Sequence, residues 1–85
     1  MVVVLGIEST AHTFGVGLVS DEPRILADVR YSYVPERGGI HPREAADSFV
    51  RAAPRAIREA LERSGLSMGS VDAVAVALGP GLGPC

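Results

Sequence analysis

Pro42 and Gly65 bracket the feature that most narrows the fold: a helical segment set between strand-like segments. Pro42 suits the first helical position, where its fixed φ and missing N–H cost nothing. Ser64-Gly65-Leu66 has the form of a glycine C-cap followed by a hydrophobic contact. Between these ends Ala45, Phe49, Ala53, Ala56 or Ile57, and Ala60 recur at three- and four-residue spacing, which gives the helix one apolar face. Pro54 falls inside it and is expected to kink it. Opposite charges four apart, Asp47 with Arg51, Arg55 with Glu59 and Glu59 with Arg63, are expected to pair along its exposed side. A helix between strands makes a crossover, so the last strand should lie parallel to its sheet neighbour.

Three strand-like segments come first. Val2 to Ile7 is a continuous apolar run rich in β-branched residues, as in a central strand covered on both faces. Phe14, Val16 and Leu18 share one face of the next, while Gly15 and Gly17 leave its other face bare, open to another backbone or a ligand. After the turn signal Ser20-Asp21-Glu22-Pro23, Ile25, Ala27, Val29 and Tyr31 alternate with more polar residues from Arg24 to Tyr33. Short links make these an antiparallel meander. Asp72 to Leu78 reads as a second buried strand, so the order is β-β-β-α-β and the class α/β.

Composition removes several chemistries. Hydrophobic residues are 47% of the chain and charged residues 21%, a globular balance. The net charge of −2 offers no broad basic field for nucleic acid. Cys85 is the one cysteine, which excludes a disulfide framework and a four-cysteine zinc site. All eight basic residues are arginine, so a P-loop lysine and Schiff-base chemistry are excluded within the chain. No apolar stretch approaches the roughly 20 residues of a membrane span. The start lacks the basic region of a signal peptide, so a cytoplasmic location without a membrane partner is expected.

Three loops carry polar candidates. In Gly6 to Thr13, backbone N–H groups and the hydroxyls of Ser9, Thr10 and Thr13 can wrap an anion, with Glu8 placed to orient a water near it. The plainer reading is a polar β-turn in which Ser9 and Thr13 cap the backbone. Gly79, Gly81 and Gly83, three glycines following a strand, permit close approach of a ligand or simply form a tight strand exit. Their spacing is not that of a dinucleotide fingerprint. In Gly38 to Glu44, His41, Arg43 and Glu44 cluster at the helix start. His41 suits a pH-dependent or metal role, or plain hydrogen bonding at the helix start. Glu44 has an explanation in the helix dipole. Arg51, Arg55 and Arg58 form either a partner or RNA surface or a solvated face.

Gly6-Ile7-Glu8-Ser9-Thr10-Ala11-His12-Thr13-Phe14-Gly15-Val16-Gly17 resembles the opening of the tRNA threonylcarbamoyladenosine synthesis family. That family comprises the catalytic subunit of the archaeal and eukaryotic KEOPS complex and bacterial TsaD, once called O-sialoglycoprotein endopeptidases or glycoproteases. Gly38 to Ala46 and Gly79 to Cys85 resemble two further family signatures, in the right order, and the Ala11-His12-Thr13 and Ile40-His41-Pro42 versions look archaeal.

The resemblance implies an ASKHA fold, the actin-like ATPase (ribonuclease H-like) architecture, whose first half-domain begins β-β-β-α-β. Residues 1–85 are then an incomplete, N-terminal part of the first ASKHA domain of a longer two-domain protein. It implies transfer of threonylcarbamoyl from its adenylate to N6 of the adenosine 3′ of the tRNA anticodon, with a bound metal, iron or zinc, and an adenine nucleotide. It places Glu8 to Thr13, with His12, and the glycines 79, 81 and 83 along the cleft, and Arg37, His41, Arg43 and Glu44 in a loop near its mouth. Metal-binding histidines of the family have no counterpart in these residues, so neither metal nor nucleotide binding, nor activity, is expected of the chain by itself. Implied partners are tRNA and other KEOPS subunits, the small dimerising subunit and the kinase subunit. Asp47-Ser48-Phe49 departs from the histidines that archaeal relatives often carry there. Two other readings stand beside this one: an interaction module that docks the small KEOPS subunit through helix 42–64, and a fragment of another ASKHA kinase or carbamoyltransferase.

Overall fold

The computed structural model describes residues 1–10, 12–34, 38–39, 41–77, 79, 81 and 83. Strands β1 (Val3–Glu8), β2 (Thr13–Ser20) and β3 (Arg24–Ser32) precede helix α1 (Pro42–Ser64), a 3-10 turn (Met68–Ser70) and strand β4 (Ala73–Val76). The sheet order is β3-β2-β1-β4. β1, β2 and β3 form the expected antiparallel meander, and β4 runs parallel to β1 after the helical crossover.

The helix ends where its punctuation says. Pro42 opens it, and Gly65 closes it in the left-handed conformation (φ 72°). The Gly65 N–H bonds to the Glu62 carbonyl at 3.2 Å and the Leu66 N–H to the Leu61 carbonyl at 3.1 Å, so two otherwise orphaned carbonyls are satisfied. The helix runs on through Pro54. Val50, whose carbonyl loses its partner there, lies on the exposed side with Pro54.

One face of the sheet meets α1. Val3 and Leu5 of β1, Phe14, Val16 and Leu18 of β2, and Ala27 and Val29 of β3 pack against Ala45, Phe49, Ala56 and Ala60. The small alanines let the helix lie close over β2 and β3, and Phe49 fills the remaining gap beside Phe14, ring centroids 6.1 Å apart. β1 is therefore a central strand, but covered on one face only: Val3 and Leu5 are buried while Val4 and Gly6 are half-buried.

Two other expectations change. Ile25, placed by alternation with Ala27 and Val29, is 73% exposed. Leu18 pairs with Ala27 and Val19 with Ile25, so Leu26 is the extra residue of a β-bulge, and the bulge flips everything on its far side. β4 reads as buried but is exposed at all four residues. Among the described residues it is flanked only by β1, and α1 packs over the other end of the sheet, so Val74 and Val76 stay 55% and 56% exposed. Leu78, expected within this strand, lies outside the described residues.

On the helix, Arg63 pairs with Glu59 at 3.4 Å as expected. Arg51 instead gives its Nε–H to the Asp47 carbonyl at 3.3 Å. Arg55 lies over the Tyr31 ring, 5.9 Å from its centroid, rather than pairing with Glu59. The packed aromatic face across the helix–sheet contact holds a guanidinium better than a flexible carboxylate one turn away.

Candidate functional site

The polar candidates gather at the end of β1. Glu8 is the last residue of β1 and Thr13 the first of β2, so the strands themselves fix both. The intervening turn is held by Glu8: its Oε1 accepts the Thr10 N–H at 2.8 Å and the Thr10 hydroxyl as well. The carboxylate, rather than Ser9 or Thr13, thus caps the turn. Thr10 donors that could have met an anion are engaged by Glu8, which sets the turn's chemistry: it presents a carboxylate and hydroxyls. Ser9 is half-buried, and the Thr13 hydroxyl lies 3.3 Å from that of Ser32. Glu8, Thr10, His12 and Thr13 line a shallow cavity of about 230 Å³.

Glu8 and Thr13 also belong to a larger cleft of about 690 Å³ on the sheet face away from α1. Its floor follows from the register. Paired residues share a face, so one row runs Ala75, Gly6, Gly17, Asp28 and the next Glu8, Gly15, Arg30. The glycines leave this floor bare, and a Cβ added at Gly15 would meet nothing within 4 Å. Arg30 and Asp28 pair across 3.0 Å at its rim. Gly15 and Gly17 were legible in the sequence as a bare face; the Asp28–Arg30 rim was not, because only the pairing with β2 brings it there.

The glycine loop reaches the same turn. Gly79 sits at φ +152°, a conformation that side chains rarely adopt. A Cβ built on Gly81 would stand 2.5 Å from the Cβ and the carbonyl oxygen of Thr10, so the loop rests directly on the turn. Gly83 is exposed, with open space where a Cβ would be.

The helix-start candidates are tied in by a residue that sequence reasoning assigned only to a strand. Tyr33 gives its backbone N–H to the His12 carbonyl at 2.8 Å and its hydroxyl to Glu44 at 2.7 Å, linking the first turn to the first helical turn. The Glu44 carboxylate, with a smaller contribution from desolvation, raises the Tyr33 pKa above its ordinary 10.0. His41 is exposed and makes no side-chain cap; its carbonyl accepts the Ala45 N–H at 2.9 Å. Arg43 is exposed, and Arg37 lies outside the described residues. Among the described residues no three His, Cys, Asp or Glu side chains converge as a metal site.

The family model for TsaD, tRNA N6-adenosine threonylcarbamoyltransferase, matches residues 24–85. Proteins named tRNA N6-adenosine threonylcarbamoyltransferase are 60% identical in Thermofilum pendens over 96% of this chain, 63% in Hyperthermus butylicus over 95%, and 62% in Aeropyrum pernix over 98%. The chain spans about a quarter of the length of these relatives (24%, 23% and 24%). Two solved structures share the fold. One, described as an uncharacterized protein with similarity to peptidase YEAZ from Pseudomonas aeruginosa, superposes with a TM-score of 0.69 at 20% identity, over 95% of this chain and 31% of that one. The other, YeaZ from Pseudomonas aeruginosa, gives 0.65 at 21% identity, over 95% and 32%.

Proposed function

The chain belongs to the tRNA N6-adenosine threonylcarbamoyltransferase (TsaD) family, and on that footing we propose that it forms the N-terminal part of the first ASKHA domain of such an enzyme. The reaction is attack of N6 of the adenosine 3′ of the tRNA anticodon on the threonylcarbamoyl carbonyl. The new N–C bond replaces the C–O bond to the adenylate phosphate, AMP leaves, and N6 gives up a proton.

This chain supplies one wall of the cleft. Glu8 is acceptor-only when ionised, so it suits a hydroxyl or N–H of the ligand and repels its phosphate. The phosphate side falls to the loop of Gly79, Gly81 and Gly83, where backbone can approach closely. His41, Arg43 and Glu44 stand at the mouth, with Glu44 held by the Tyr33 hydroxyl. Supporting this reading is the identity of 54–63% to relatives of that name along nearly the whole chain.

Iron or zinc, ATP or another adenine nucleotide, the KEOPS subunits, tRNA and a cytoplasmic location belong to the proposal for the longer enzyme. The test is transfer of label into tRNA from threonylcarbamoyl-adenylate carrying radiolabelled threonine, by the enzyme expressed from the complete reading frame, with Glu8→Ala beside it. Robust label in the wild type and a large loss in the variant are expected; no transfer by the wild type refutes the reading.

A second reading, α1 as the docking surface for the small KEOPS subunit, is favoured by Val50, an apolar side chain 73% exposed beside Arg51. Pull-down with that subunit, undiminished by Val50→Asp, removes it.

A further inference from the structure

We infer that Thr10 is a positioning residue that couples the glycine loop to the Glu8 carboxylate. Two independent observations meet at this residue. On one side, its N–H and its hydroxyl both donate to Glu8 Oε1, so where Thr10 stands decides where the carboxylate points. On the other, Gly81 is seated against it so closely that a Cβ would lie 2.5 Å from the Thr10 carbonyl oxygen and Cβ and 2.9 Å from its Cα.

Two of those three atoms are backbone, and no rotamer change relieves them. The requirement is specific to this position. A Cβ on Gly79 would meet its nearest neighbour at 3.9 Å, an ordinary contact, and one on Gly83 would meet nothing. Gly81 is therefore glycine because of Thr10, and Thr10 has no room to shift without the loop. A ligand that moves Gly81 moves Thr10, and with it the Glu8 carboxylate, which lines both cavities described above.

The catalytic consequence rests on the function proposed above; the coupling itself does not. In the complete enzyme, backbone hydrogen exchange over the 8–13 turn is compared between wild type and Gly81→Ala, and transfer is measured for Gly81→Ala, Thr10→Val, Thr10→Ser and the Gly81→Ala/Thr10→Val double variant. Gly81→Ala is expected to speed exchange of the Thr10 amide about tenfold, the loss that a hydrogen bond to a charged acceptor implies. Thr10→Val, equal in shape but lacking the hydroxyl, lowers kcat about tenfold with KM for tRNA unchanged, and Thr10→Ser restores it. The double variant loses no more than the worse single one, because both act through the same link. Unchanged Thr10 exchange in Gly81→Ala, equal activity of the Val and Ser variants, or losses that multiply in the double variant would overturn the coupling. A wild-type enzyme that transfers nothing would refute the proposed reaction instead, and the exchange data would still decide the coupling.

Discussion

Asp72 takes the Val3 N–H on its Oδ2 at 2.8 Å and returns its own N–H to the Val3 carbonyl at 2.8 Å. Asp21 does the same to Val2, at 2.9 and 3.1 Å. The start of β1 is thus clasped from both neighbouring strands. Asp72→Ala, which leaves Val3 N–H without its charged acceptor, is expected to destabilise the chain by about 1.5–3 kcal/mol. Asp72→Asn keeps an acceptor and costs less. Urea denaturation followed by circular dichroism measures both, and equal stability of Asp72→Ala and wild type contradicts the clasp.

Phe49 is 2% exposed and the largest side chain that α1 buries. In a core otherwise built from alanine on the helix side, Phe49→Ala costs about 3–5 kcal/mol. Small domains hold only about 5–15 kcal/mol in total, and short chains lie near the lower end. Loss of cooperative thermal unfolding is the expected result, with Phe49→Leu intermediate.

Gly15 faces open space with ordinary strand backbone, so Gly15→Ala meets no atom within 4 Å. The substitution should stabilise the chain by about 0.5–1 kcal/mol, through the lower entropy of the unfolded state. A lower melting temperature would mean that something already occupies this face.

Val74 and Val76 sit on a short edge strand with more than half of each side chain exposed. An open apolar edge invites pairing with another copy. The isolated chain is expected to self-associate, and Val74→Arg to shift its sedimentation toward the monomer. A monomeric wild type at high concentration contradicts this.

Tyr33 carries the pH dependence. Its folded pKa is raised by the Glu44 carboxylate, so the contribution of this link is fully present below the ordinary value of 10.0 and is lost as pH rises through the raised value. Ultraviolet titration of the phenolate should show a late phase that Tyr33→Phe removes and Glu44→Gln shifts to lower pH. A Glu44→Gln profile identical to wild type contradicts the link.

The parts of the fold legible in the sequence were those decided locally. Pro42 and Gly65 set the helix ends through backbone chemistry that needs no tertiary partner, and the Phe14-Val16-Leu18 alternation set a face. Ile25 was misplaced because a bulge is a property of two strands, and nothing in one strand's alternation announces the extra residue at Leu26. β4 was misjudged because Ala73-Val74-Ala75-Val76 has the same composition whether its faces are covered or open. At the site, Glu8, Thr10 and the glycines could be singled out by residue type. Tyr33, joining His12 to Glu44, and the seat of Gly81 on Thr10 are contacts between segments far apart in sequence, which spacing does not encode.

The bulge at Leu26 also breaks the side-chain phase of β3, while β2 alternates without interruption from Thr13 to Ser20. Asp28 and Arg30 keep the register of the Leu18–Ala27 pair, while Ile25 is turned onto the exposed face that Val19 shares with Gly15 and Gly17. The tip lies at the opposite end of the hairpin from Thr13 and Arg30, and a peptide grafted after Asp21 keeps its clasp on Val2, which makes this turn the natural attachment point for a tag or a reporter.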